Sequence, residues 1–196
     1  MSGARSLTIR RTSTRSTSSC NGGAFAAWVF APEKVMIRDY QPGDHIAIAE
    51  IFCRAIHEVA SACYTPAQCA AWSDKAANPG HWEQRCAVKR PFVFENQGEV
   101  AGFLELDDDG HIDCMYVHPD HGRQGIASRL IDYAALRCAE KGVGRMYVEA
   151  SLCARPVFEK KGFRVVKQQT VPLRGEELVN FVMERYLDAS SSGEPR

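Results

Sequence analysis

Neither sign of charge dominates this 196-residue chain, in which lysine plus arginine and aspartate plus glutamate each number 24. Holding nucleic acid by neutralising phosphates needs a basic excess, so DNA and RNA are not expected partners. No apolar run approaches the roughly 20 residues that span a bilayer, and no membrane segment is expected. There are eight cysteines but no C-x-x-C pair, which argues against a structural zinc site, and no metal is expected. Several cysteines lie in apolar patterns, such as Cys53 after Ile51 and Phe52, and Cys114 beside Ile112 and Met115. There a free thiol behaves as a small hydrophobe, and a reducing cytoplasm is the expected location.

No acidic residue appears before Glu33, and Ser, Thr and Arg dominate the opening stretch. Such a segment buries too little apolar area to offset its ordering entropy, so residues 1–35 are expected to be a largely disordered extension. Its Arg-rich, Ser-rich composition is also that of an organelle presequence, and Arg10-Arg11 invites a twin-arginine reading. The apolar run from Ala24 to Phe30 is short for a signal core, which favours a plain upstream extension. At the other end, residues 188–196 form a polar tail.

Between these segments, over residues 36–187, the pattern is that of one domain, with apolar residues at 45% and charged residues at 24% of the chain. Val35 to Tyr40 reads as a strand, followed from Pro42 by a helix with Ile46, Ile48, Ile51, Phe52 and Ile56 at mostly helical spacing. Thr65-Pro66-Ala67-Gln68 has the form of a capped helix start running to about Trp72. Residues 74–90 lack clear periodicity and read as a loop. Phe92 to Glu95 and Val100 to Leu106 form a hairpin through Asn96-Gln97-Gly98, and His111 to Val117 is a further strand. A helix from about Gln124 to Glu140 ends at Gly142. A strand over 145–150, a short helix over 154–161 and two closing strands over 163–169 and 178–184 complete a mixed α/β pattern around one sheet.

The informative segment runs from Met115 to Ser128, MYVHPDHGRQGIAS. A strand, a turn with two glycines and a helix start leave several backbone N–H groups unpaired and pointing one way, which suits a phosphate anion. Gly125 lets the backbone approach closely, and the helix dipole favours negative charge. A dinucleotide-binding domain would carry its glycines near the first strand, with an acidic residue about 20 positions later. A P-loop would carry Gly-Lys-Ser or Gly-Lys-Thr, and neither pattern occurs.

This stretch resembles the acetyl-CoA signature of the GNAT superfamily, in which a strand and V-x-P lead to [QR]-x-x-G-x-[GA] at the opening of the cofactor helix. Here the motif reads Gly122-Arg123-Gln124-Gly125-Ile126-Ala127, with Gly122 where the family usually has Gln or Arg. The resemblance runs from about Met36 to Glu184 and looks closest to bacterial YafP-like members. It implies the acyl-CoA N-acyltransferase fold, a mixed sheet of about six to seven strands with about four helices. Residues 151–163 are similar to the second signature, N-x-x-A-x-x-F-Y-x-x-x-G-F. Ala154, Gly162 and Phe163 match, Ser151 takes the Asn place and Phe158 the Tyr place. The implied activity is acetyl transfer from acetyl-CoA, as co-substrate, to a primary amine of a small molecule or peptide. The alternative is an acyl-CoA-binding sensor or interaction module of low turnover.

Implied cofactor contacts are Met115, Tyr116, Val117, Gly122, Arg123, Gln124, Gly125, Ile126, Ala127, Ser128, Ser151 and Phe158. The N–H near Val117 would polarise the thioester carbonyl, and Arg123 adds a cation for a phosphate. An alkyl ammonium must lose a proton before it attacks, and Asp113, Glu105 and His111 are the candidate catalytic groups. Asp113 and His111 share strand parity with Val117, which would place all three on one face. Phe158 has no proton to give the departing thiolate, and Tyr64, Tyr116, Tyr147, Ser151 and Cys153 are the alternatives, with Cys153 expected as a packed thiol. Tyr64, Trp72 and Trp82 can line an acceptor pocket or serve as core. Dimerisation through the terminal strands is a family habit and implies a homodimer on resemblance alone.

Overall fold

In the computed structural model, residues 35–74 and 79–187 are described; the expectations for the first 34 residues and the 188–196 tail lie outside them. The chain opens with strand β1 (Val35–Asp39) and helix α1 (Asp44–Arg54). Helix α1 runs on through a π-helical turn, Ala55–Val59, and a 3₁₀ turn, Ala60–Ala62. Wide helical turns of this kind are rare and cluster at functional sites. Helix α2 (Pro66–Ser73) starts as its sequence demands: the Thr65 hydroxyl accepts from Gln68 N, while Gln68 Oε1 accepts from Thr65 N.

Helix α3 (Pro79–Lys89) occupies the stretch expected to be a loop. Its inward stripe is Trp82, Arg85, Cys86 and Lys89, at the helical spacing i, i+3, i+4, i+7. Two of the four are cations, so the apolar period is invisible. Strands β2 (Phe92–Asn96), β3 (Glu99–Leu106) and β4 (His111–Val117) follow, then helix α4 (Ile126–Glu140). Strand β5 (Arg145–Ser151), helix α5 (Arg155–Lys160) and the hairpin of β6 (Arg164–Leu173) and β7 (Glu176–Tyr186) close the chain.

The seven strands form one sheet in the order β1-β2-β3-β4-β5-β7-β6, antiparallel except for the β4 and β5 pair. Among the described residues five α-helices cover it, against the about four expected. On one face α4 and α5 bury Ile126, Leu130, Ile131 and Phe158 against Leu104, Ile112 and Met146. On the other, α1 to α3 bury Ile48, Ile51, Trp82 and Cys86 against Val93 and Phe103. Each large side chain so buried contributes roughly 1.5–3 kcal/mol. Helix α4 seats closely because β3 carries Gly102, where a Cβ would meet Tyr116 O at 3.0 Å and Ile126 Cγ2 at 3.1 Å.

Candidate active site

Strands β4 and β5 are neighbours for only two residue pairs. His111 pairs with Tyr147 and Ile112 with Val148, yet β4 continues to Val117 and β5 to Ser151. The cause lies across β4, where Glu105 pairs with Cys114 and Leu106 with Ile112, leaving Asp113 as an extra residue in the ladder. That is a β-bulge, which bends a strand and reverses its alternation. Ile112 therefore packs in the core beneath α4, whereas Cys114 and Tyr116 pack beneath α1 to α3, and Met115 and Val117 turn back toward α4. The expectation that His111 and Asp113 share a face with Val117 fails for this reason, since strict parity holds only along an unbroken strand.

Past Val117 the wedge between the strands meets the glycine turn. His118 N donates to Ala101 O at 2.9 Å, a 3₁₀ turn spans Pro119–His121, and the exposed residues Gly122 to Gly125 lead into α4. Gly125 has φ +79° and Arg123 φ +63°, so the backbone passes twice through the left-handed region. No side chain caps the start of α4, and a Cβ at Gly125 would have no neighbour within 4 Å. The first N–H groups of a 15-residue helix thus face open space, a fit for an anion. Arg54, at the end of α1, steadies the turn: its guanidinium donates to both oxygens of Asp120 at 3.0 Å and to Glu58 at 2.6 and 3.0 Å.

The bulge supplies the other half of the site. Glu105 is 0% exposed and holds Arg85 through both oxygens, at 2.9 and 2.5 Å. Arg85 also reaches Asp113 at 2.8 Å, and Lys89 joins Asp113 and Asp107, each at 2.8 Å. Burial raises the Glu105 pKa, against the opposing pull of Arg85. For Asp113 burial is outweighed by Lys89 and the charge of Arg85, and its pKa falls below the usual carboxylate value. His111 lies between two carboxylates, Nε2 at 2.7 Å from Glu149 and Nδ1 at 3.2 Å from Asp107, stacked on Tyr147 with ring centroids 4.7 Å apart. Burial pulls His111 down, but Glu149, Asp107 and Asp113 outweigh it and raise its pKa.

A cavity of about 390 Å³ opens beneath α1 to α3, next to this network. Asp113, Cys114 and Tyr116 line it from β4, Glu149 and Ser151 from β5. The three expected aromatics meet there: Tyr64, Trp72 and Trp82 all line it, and Tyr64 and Trp82 are also buried core. The Tyr64 hydroxyl donates to Val179 O at 2.6 Å and accepts from Leu152 N at 3.0 Å, spanning the end of β5. Beside it, Cys63 and Cys153 form a disulfide with Cα atoms 6.3 Å apart. That pairing corrects the expectation of a packed thiol at Cys153 and removes it as a proton donor; the two sulfurs, 90 residues apart in sequence, meet only in the fold. Of the other cysteines, Cys69, Cys86 and Cys138 are buried and unpaired.

Phe158, placed at the cofactor by the second signature, is 1% exposed and packs on Phe163 at 5.1 Å, so its ring offers no surface to a ligand. Ile126 is likewise buried and can contribute only its backbone. Sequence reasoning missed Arg54, Arg85, Lys89, Glu149 and Asn180. The sole signal for Arg85 and Lys89 was the i, i+3, i+4, i+7 stripe of α3, once its cations are counted as inward. Among the described residues, no helix is long and apolar enough to cross a membrane.

A family model described as "Acetyltransferase (GNAT) domain" matches residues 60–185. The uncharacterised N-acetyltransferase YafP of Escherichia coli strain K12 is 36% identical over 149 residues, 76% of this chain and 94% of that protein. A GCN5-related N-acetyltransferase structure from Rhodopseudomonas palustris superposes with TM-score 0.74 at 30% identity, covering 78% of this chain and 95% of its own. The fold is shared with YncA from Salmonella typhimurium, solved with its cofactor acetyl-CoA, at TM-score 0.60 and 21% identity over 82% of this chain and 98% of that one.

Proposed function

Because the chain belongs to the GNAT acetyltransferase family, we propose that it moves an acetyl group from acetyl-CoA to a primary amine of a small molecule or peptide, by direct attack in a ternary complex. The observation that carries this reading is the junction of three features. A strand pair open beyond Ile112 and Val148 lies between an uncapped helix start with a left-handed glycine and a cavity lined by carboxylates. A thioester reaching through the wedge meets an amine from the other face.

In this reading the N–H groups from Arg123 to Ser128 hold the pyrophosphate, the Gly122 N–H being spent on Pro119 O, and Arg123 adds charge to it. The edge of Met115 to Val117 that faces away from β3, where pairing with β5 has ended, holds the pantetheine arm, and an N–H near Val117 polarises the carbonyl. Bound acetyl-CoA supplies the activated acetyl group: nitrogen attacks the carbonyl carbon, the thiolate leaves with the C–S electrons, and the nitrogen sheds its second proton to solvent as the amide forms.

The proton is handled by Glu149 and His111. Glu149 lines the cavity while holding His111 at 2.7 Å, and Asp107 lies behind the imidazole. Glu149 takes the ammonium proton directly or through one water, and His111 positions it and passes the proton outward. Asp113 and Glu105 act through Arg85 and Lys89, as positioning residues that keep the bulge in place. The protons of Tyr64 and Tyr147 are committed to Val179 O and Asp109, which leaves Tyr116, Ser151 and solvent as proton sources for the thiolate.

The test is titration calorimetry of the full chain with acetyl-CoA, repeated on Gly125→Glu. The substitution forces a side chain into a left-handed position and an anion into the phosphate site, so affinity is expected to fall by about 100-fold or more. Equal affinity in the variant would remove the turn from the binding site, and with it this reading.

A further inference from the structure

The cavity has a chemical character that narrows the acceptor, given the acetyltransferase reading above. Aromatic rings form one wall. Phe52 lies 4.9 Å from Tyr116, Tyr64 lies 5.4 Å from Trp72, and Trp72 lies 6.5 Å from Tyr116, centroid to centroid. The closing hairpin adds the apolar Val171, Leu173 and Leu178 to the lining. A flat apolar body fits such a lining, and face or edge contacts with rings add to simple burial.

The charges in the lining are unequal in what they leave for a ligand. Arg85 is answered by Glu105 and Asp113, and Arg174 by Asp74 at 2.9 Å and by Ala71 O at 2.6 Å. Both arginines on the cavity wall thus already hold protein carboxyl or carbonyl oxygens. Of the carboxylates, Asp113 and Glu149 line the cavity, and the network they belong to holds more carboxylates than cations: Glu105, Asp113, Asp107 and Glu149 share Arg85, Lys89 and His111. Glu149 is 40% exposed at the side chain. A ligand carboxylate would enter beside this excess and compete for cations already paired, which costs free energy. A ligand ammonium would be welcomed.

Asn180 adds a hydrogen-bond acceptor. It lines the cavity and pairs in register with Ser151 at the open end of β5, and its Oδ1 is buried with no hydrogen-bond partner. A buried acceptor without a donor is costly, and an amine N–H would satisfy it beside the wedge.

We infer that the acceptor is an amine carried on a flat aromatic or apolar body that bears no carboxylate, with Asn180 Oδ1 orienting its nitrogen. The matched probes are 2-phenylethylamine and L-phenylalanine, which differ only in the carboxylate, with n-butylamine as a monoamine lacking the ring. Affinity is measured by calorimetry on the full chain with CoA present, and turnover by CoA release from acetyl-CoA. Phenylethylamine is expected to bind at least about tenfold more tightly than either of the others, a discrimination typical of one unpaired buried polar group. Asn180→Ala and Trp72→Ala should each weaken it by about tenfold and leave acetyl-CoA affinity unchanged. Binding in that order without CoA release would sink the transfer mechanism and leave the pocket assignment standing. Phenylalanine or butylamine binding as well as phenylethylamine, or no binding by any of the three while acetyl-CoA still binds, would overturn the pocket assignment alone.

Discussion

The turn that opens α4 and the cavity beneath α1 to α3 meet at the same wedge, but they are made in opposite ways. The turn is one continuous stretch, Met115 to Ser128, and what it presents is backbone: N–H groups from Arg123 onward, shaped by left-handed residues at the start of an uncapped helix. The cavity is made of side chains from α1, α2, α3, β4, β5, β6 and β7, and what it presents is rings and carboxylates. A site built from backbone tolerates changes at most of its positions, as Gly122 in place of the family's Gln or Arg illustrates. A site built from side chains changes character with each substitution. The common substrate is therefore assigned to the first and the variable one to the second.

That contrast predicts damage confined to one side. The largest effect is expected at Arg85. Arg85→Met leaves the Glu105 carboxylate, 0% exposed, without its cation, and breaking a buried pair in this way costs about 3–5 kcal/mol. Urea unfolding reads that loss, while acetyl-CoA affinity of the folded variant should stay at the parent value. A joint fall in both would mean that the two regions are one cooperative unit. Next is the disulfide, which closes a loop of sequence separation 90 beside the Tyr64 wall. Its reduction is expected to cost about 2–4 kcal/mol in thermal or urea unfolding, and a Cys63→Ser, Cys153→Ser double variant should be insensitive to reductant. Amine KM should rise with reduction more than acetyl-CoA KM, because only the acceptor wall is tethered. If neither stability nor KM responds, the bridge has no part in the cavity.

The smallest effect concerns pH. His111 has a raised pKa, so protonated His111 is favoured by the fold. Its stabilising contribution is complete below about pH 6.5 and is lost as pH rises through the folded value. The stability gap between parent and His111→Gln should accordingly narrow from pH 6 to pH 9. In turnover the sign is opposite, since the pair with Glu149 accepts a proton only after losing one. The acid limb of kcat/KM should lie above the ordinary imidazole value in the parent and shift in His111→Gln. Superimposable profiles for parent and variant would take His111 out of the proton path.

How far the site can be read from the sequence follows from the same contrast. The glycine turn, the Thr65 cap and the strands flanking the wedge are legible because a left-handed glycine, a capping box and an alternating run are each written in a few neighbouring residues. Helix α3 was hidden because two of its four inward positions, Arg85 and Lys89, are charged, and their counterions lie on β3, β4 and the turn between them. The bulge at Asp113 was hidden because it exists only as a mismatch of register with β3. Phe158 was placed by position in a motif, and only its packing on Phe163 shows where the ring points.

By itself the sequence determined the order of the elements apart from α3, the conformation of the glycine turn and the family, since backbone preference and hydrophobic period are properties of neighbours along the chain. The tertiary structure alone decided which carboxylates are buried, which of them face a cavity and which cysteines meet. Ionisation, pairing and burial depend on distances through space, and residues 90 positions apart acquire those distances only when the sheet closes.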